Sequence, residues 1–194
     1  MRLSEVERGD GVVNRLLIRI LSMALGMRLP DAARVAFYHK NFFGRPMGAW
    51  TQAAMRGPSA WSVGERELMA AMIAKWNSCS FCVGAHRAVA AKVLDRRPVD
   101  AALKDFRTAP ISDGLKATLE FLETMTLRPV KLNADDARAV LGAGVSFEAL
   151  ADAIAIAAIF NIVTRYADAL EFIIPTSDEF DRAAGMLLKR GYAS

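Results

Sequence analysis

The chain has 194 residues, 53% of them hydrophobic and 24% charged, with a net charge of +4 at pH 7. That length suits one domain burying roughly 70% of its unfolded surface, so folding needs no disulfide staples. Two cysteines exclude a secreted disulfide framework, scattered basic residues leave no nucleic-acid footprint, and the acidic start MRLSEVERGDG is the wrong charge pattern for a secretory leader. A reducing, cytoplasmic setting is expected, in which a close pair of thiols has a functional rather than a structural use.

The run VVNRLLIRILSMALGM predicts a first helix over 11–27. Its apolar residues Val12, Leu16, Ile20 and Met23 recur at helical spacing, pointing that face at the chain's own core or at a partner subunit. Arg15, Arg19 and the stop before Pro30 make it too short and too charged to span a bilayer, so no membrane span is expected there. A membrane-surface helix is the other use of such a pattern. Further helices are predicted over 30–43, 46–56, 64–77, 79–95, 98–107, 113–127, 134–143, 147–171 and 177–190. Ser62-Val63-Gly64-Glu65 and Thr176-Ser177-Asp178-Glu179 have capping-box form. Asn133 precedes Ala134-Asp135-Asp136, which places carboxylates where the helix dipole favours them. No hairpin signal or linker interrupts this series, so the fold class is all-α, as a single domain over 1–194. A faint internal echo relates GERELMAAMIAKWNSCSFCVGAHRA to VSFEALADAIAIAAIFNIVTRYADA; aligning Glu67 with Glu148 sets Phe160, Val163 and Ala167 opposite Cys79, Cys82 and His86.

WNSCSFCVGAH concentrates the chemistry: both cysteines and one of the two histidines fall within eight residues. With Ser78 as N-cap and Cys79 opening the helix, Cys79, Cys82 and His86 share a wedge of about 60°. Helix N-termini and neighbouring imidazoles lower thiol pKa values, and only the thiolate is a nucleophile. A Cys-x-x-Cys pair one turn apart also closes into a disulfide with little backbone movement. In outline this is a peroxide-reducing unit: one thiolate becomes a sulfenic acid and the second thiol condenses with it. Glu67 opens an otherwise apolar helix and needs a partner, for which His86 is the candidate.

Glu67, eleven residues, then Cys79-x-x-Cys82-x-x-x-His86 resembles the signature of the alkylhydroperoxidase D branch of the carboxymuconolactone decarboxylase superfamily. The likeness covers about 35–172, including the later stretch GVSFEALADAIAIAAIFNIVTRYADAL, and leaves the helices near 11–27 and 177–190 as extensions. The resemblance implies an AhpD-like helical bundle with internal pseudo-symmetry, assembled into homo-oligomers. It implies a thiol-dependent reduction of hydroperoxides, with Glu67 and His86 as proton relay and Cys79 and Cys82 as the redox pair. No bound cofactor is implied; the disulfide would be reduced by an external dithiol such as a lipoyl domain, sometimes with a peroxiredoxin. The best-known members carry a second histidine between the cysteines, where this chain has Phe81. Cys82 is favoured as the residue meeting peroxide because it lies one turn from His86, with Cys79 resolving, although Cys79 has the better helix-terminus position.

Other uses of these residues stay open. Cys79, Cys82, His86 and Glu67 could form a zinc set, against which stands the origin of three of them in one short helix. No histidine directly follows Cys82, which excludes a c-type haem. A decarboxylase or isomerase like the superfamily's founding members would dispense with the dithiol, and a redox-sensing or zinc-stabilised assembly protein would not be an enzyme. His39 has no identifiable partner and reads as surface or packing. Asn161, Arg165 and Asp168 read as a buried polar cluster that fixes helix packing or a subunit contact. Phe42, Phe43, Met47, Trp50, Met55 and Trp61 read as core and interface, some lining an apolar pocket suited to an organic hydroperoxide.

Overall fold

Helices in this chain begin where a short polar side chain takes the orphan N–H groups of a first turn. Ser62 accepts from the Glu65 N–H while the Glu65 carboxylate takes the Ser62 N–H, and the pairs Asn133–Asp136 and Thr176–Glu179 repeat the arrangement. Ser112 and Ser146 cap two more helices through the N–H groups of Leu115 and Ala149. The computed structural model describes residues 1–38 and 40–192; the histidine expected to be a surface or packing residue, His39, lies outside them. The described residues form α1 (Ser4–Arg8), α2 (Val12–Leu25), α3 (Asp31–Tyr38), α4 (Arg45–Arg56), α5 (Val63–Trp76), α6 (Ser80–Val93), α7 (Arg96–Asp105), α8 (Asp113–Leu127), α9 (Ala134–Gly142), α10 (Phe147–Ala169) and α11 (Ser177–Arg190). Among them there is no strand, as the all-α reading expects.

Three short elements depart from the expected series. The five-residue α1 precedes the first expected helix, and a 3-10 turn at Pro129–Lys131 follows α8. The helix expected over 30–43 ends at Tyr38, after which Lys40–Gly44 forms a π-helical turn into α4. Gly44 fits there because a Cβ would stand 2.8 Å from the Ala36 carbonyl oxygen.

Helix α5 is buried on every side from Arg66 to Ala74, as its apolar run Leu68–Ala74 requires. Its Leu68, Met69, Met72 and Ile73 meet Leu115, Leu119 and Leu122 of α8 and Ile156, Ile159 and Phe160 of α10 in one core. Each such side chain contributes about 1.5–3 kcal/mol by leaving water. Helix α10 has the length and apolarity of a membrane span, and its Ala153, Ile156, Ala157, Ile159 and Phe160 lie inside this core. The Trp61 indole N–H ties the loop before α5 to α10 by donating to the Ala149 carbonyl at 2.8 Å.

Helix α2 reverses part of the expectation. It rests on the body through Ile18, which is 4% exposed. The apolar series Val12, Leu16, Ile20 and Met23 faces away from the chain's own core, at 80%, 57%, 46% and 73% exposure.

The exits of α5 and α10 share one design. The N–H groups of Ser78 and Cys79 donate to the Lys75 and Ala74 carbonyls, at 3.0 and 2.9 Å; those of Glu171 and Phe172 donate to Asp168 and Ala167, both at 3.0 Å. Both are Schellman ends with a non-glycine in the left-handed position, Ser78 at φ 62° and Glu171 at φ 52°. The echo aligned on Glu67 and Glu148 does not hold at the level of the backbone, because it sets a helix-turn-helix against one continuous helix. The likeness between the halves resides instead at these two exits, where Cys79 corresponds to Phe172.

Candidate functional site

The Schellman end of α5 delivers Cys79 to its place. Cys79 is at once the residue after the left-handed Ser78 and the N-cap of α6, at φ −87° and ψ 93°. The N-cap expected at Ser78 therefore moves one residue on: a reversal between two packed helices within three residues needs a positive φ, and Ser78 supplies it. Cys82 and His86 follow one helical turn apart on α6. Both cysteines are free thiols within hydrogen-bonding reach of each other. Val6, Val35, Phe81, Ala167 and Phe172 pack around them and seal them to 0% and 2% exposure.

Glu67 of α5 stands beside this pair of turns, at 0% exposure. Its Oε2 lies 2.7 Å from Nδ1 of His86; its Oε1 accepts from Nη2 of Arg56 at 2.7 Å and from the Tyr192 hydroxyl at 2.8 Å. Burial alone would raise the Glu67 carboxyl, but the hydrogen bond and charge of His86, joined by Arg56, hold it below its ordinary 4.5. A carboxylate has no proton to give, so Nδ1 of His86 carries the hydrogen and donates. In the neutral imidazole that tautomer leaves the Nε2 lone pair free, and among the described residues Nε2 makes no hydrogen bond. The imidazole is steadied by the Phe160 ring, edge-on at 4.4 Å between centroids.

The Cys82 thiol is raised above its ordinary 9.0 by its hydrogen bond with Cys79, by burial and by the charges of Cys79 and Asp168. It keeps its proton unless a base removes it. Burial, with the nearby cysteines, likewise raises the Tyr166 hydroxyl. Among the described residues no group of three or more His, Cys, Asp and Glu side chains is placed to hold a metal ion. Both oxygens of Glu67 already have hydrogen-bond partners.

The four sequence candidates thus lie on one helical hairpin in two pairs, Glu67 with His86 and Cys79 with Cys82, and among the described residues no hydrogen bond joins the imidazole to a thiol. Arg56 and Tyr192 were not anticipated; Tyr192 is 125 residues from Glu67 in the chain, beyond any local spacing signal. The polar cluster expected on α10 is met in part. Asn161 and Thr164 hold the Asn77 side chain at 3.0 and 3.1 Å, and Nη1 of Arg165 donates to the Asn161 carbonyl at 2.9 Å. This clamps the α5–α6 turn onto α10. Arg165 is exposed there, and Asp168 is exposed outside that network. Of the large apolar residues near α4, Met55 and Trp61 are core, while Phe42 and Trp50 are exposed at 63% and 43%.

No family model matches the sequence, and no curated protein matches it. Solved structures match its fold over nearly their whole length. An uncharacterized peroxidase-related protein from Silicibacter sp. TM1040 superposes with a TM-score of 0.78 over 93% of each chain, at 21% identity. The alkylhydroperoxidase AhpD core of an uncharacterized peroxidase-related protein from Ralstonia eutropha JMP134 gives 0.71 over 87% of each chain, at 24% identity. The debrominase Bmp8 gives 0.70 over 91% of this chain and 94% of its own, at 19% identity. The fold is the alkylhydroperoxidase D-like one, and Bmp8 shows that this fold carries more than one activity.

Proposed function

We propose that this chain is a thiol peroxidase that reduces organic hydroperoxides through a Cys79–Cys82 dithiol–disulfide cycle. The observation that supports it most is the 2.7 Å contact between the buried Glu67 carboxylate and Nδ1 of His86, one helical turn beyond a cysteine whose thiol Cys79 and burial push up. Nε2 of His86 takes the Cys82 proton, and the thiolate attacks the terminal oxygen of the hydroperoxide. The O–O bond breaks, the leaving alkoxide receives the proton from His86, and the alcohol departs. The Cys79 thiol then displaces water from the Cys82 sulfenic acid, closing the disulfide. An external dithiol of the lipoyl type returns both thiols by exchange. The Phe81, Phe172 and Val6 surroundings favour an organic hydroperoxide over hydrogen peroxide. The exposed apolar face of α2 is where a second copy of the chain would pack.

Coupled turnover of cumene hydroperoxide with dihydrolipoamide tests this reading. Wild-type protein is expected to turn over, and Cys79→Ser and Cys82→Ser each to lose turnover. Dimedone should trap a sulfenic acid in Cys79→Ser and not in Cys82→Ser. Full turnover in either single variant would sink the proposal.

A further inference from the structure

Helix α11 crosses the cysteine-bearing α6 and then returns the chain to the buried carboxylate. The Phe180 ring lies so close to Gly84 that a Cβ there would stand 2.5 Å from it, and Nζ of Lys92 reaches Asp181 at 2.7 Å. At Gly191 the backbone adopts φ 69°, and the Tyr192 N–H donates to Oε1 of Gln52 at 2.7 Å. These contacts aim the phenol inward, where its hydroxyl donates to Oε1 of Glu67 at 2.8 Å.

The two oxygens of Glu67 thereby have separate duties. Oε1 takes two donors, from Arg56 and Tyr192, and Oε2 is left to His86. A carboxylate pinned this way cannot rotate to share its oxygens, so its charge stays aligned with the imidazole. The Tyr192 ring has a second effect. The Arg56 guanidinium lies 4.9 Å over its centre, and Nε of Arg56 is buried without a partner. The ring therefore helps hold a cation that is otherwise fixed through its terminal nitrogens alone. Ring and hydroxyl act on the same carboxylate, one through Arg56 and one directly.

We infer that Tyr192 is a positioning residue of the Glu67–His86 relay, coupling the C-terminal segment to the reactivity of the dithiol. Its catalytic consequence rests on the peroxidase reading; its effect on the thiols does not. The test is Tyr192→Phe, which keeps the ring over Arg56 and removes only the hydroxyl. Two readouts separate the inference from the reading it rests on. The first is the pH profile of iodoacetamide alkylation of the reduced dithiol, followed by intact mass, which needs no turnover. Loss of one donor changes how the carboxylate is held against the imidazole, so the acid limb should shift away from that of wild type. The second is hydroperoxide turnover, where kcat should fall about fivefold with KM unchanged, the effect of one hydrogen bond. A Tyr192→Phe profile that superimposes on wild type overturns the inference, whatever the turnover. A shifted limb in a protein without hydroperoxide turnover supports it and removes the peroxidase reading instead.

Discussion

Glu67 is the residue on which the site balances. It sits at 0% exposure between the buried Arg66 and the apolar run Leu68–Ala74, and its charge is matched by Arg56. Glu67→Gln keeps the shape and leaves Arg56 uncompensated, so a loss of about 3 kcal/mol in urea unfolding is expected. The acid dependence follows from the same group. Its folded carboxyl lies below the ordinary 4.5, so its contribution is present above that pH and lost as pH falls through the folded value. Wild type should therefore lose more stability than Glu67→Gln does as pH falls from about 4.5 through the folded value. Ser78 makes the opposite case: it holds φ 62° without being glycine, and Ser78→Gly should stabilise by about 1 kcal/mol in the same assay. Glu67, Cys79, Cys82 and His86 were legible because their spacing is local to one helical hairpin. Arg56 and Tyr192 were not, since the contact that gives Tyr192 its place joins residues 125 apart.

Among the elements, the α5–α6 hairpin and the α11 strap decide where the chemistry sits. Most helices were readable from caps and apolar periodicity, and Ser62, Asn133 and Thr176 cap as their sequences suggest. What escaped was set by backbone rather than pattern: the short α1, the π-helical turn at Lys40–Gly44, and the one-residue shift of the α6 N-cap to Cys79. None carries a periodic signal, because each is about one turn long or less. The closeness of α11 to α6 rests on Gly84, where only a hydrogen leaves room for Phe180. Gly84→Val should cost about 1–3 kcal/mol by overpacking. Phe180→Ala should return part of that loss, giving a favourable interaction energy in a double-mutant cycle. Simple additivity of the two changes would mean that α11 does not press on α6 at this point.

The whole molecule encloses its dithiol and exposes an apolar helix. Asp31, at 0% exposure, accepts from the Ile173 N–H at 2.7 Å and so ties α3 to the segment after α10. The Arg2 N–H donates to the Leu170 carbonyl at 2.8 Å, closing the N-terminus over the same place. On α2, Val12, Val13, Leu16, Leu17, Ile20 and Met23 together present on the order of 600 Å² of exposed surface, at the upper end of what a monomer normally shows. A helical pattern reveals such a face without saying which side of it meets the body, which is why its direction could not be read from sequence. With a second copy packed there, light scattering should give a multiple of 21.1 kDa, and Leu16→Glu with Ile20→Glu should give 21.1 kDa with unchanged helical circular dichroism. A wild-type monomer would remove the subunit contact.

The peroxidase proposal is tested most directly by the free-thiol count and intact mass of the reduced protein, before and after one equivalent of cumene hydroperoxide. Loss of both thiols, with each chain lighter by two hydrogens, is the expected result and locates the disulfide between Cys79 and Cys82. Two thiols still free and an unchanged mass would contradict it.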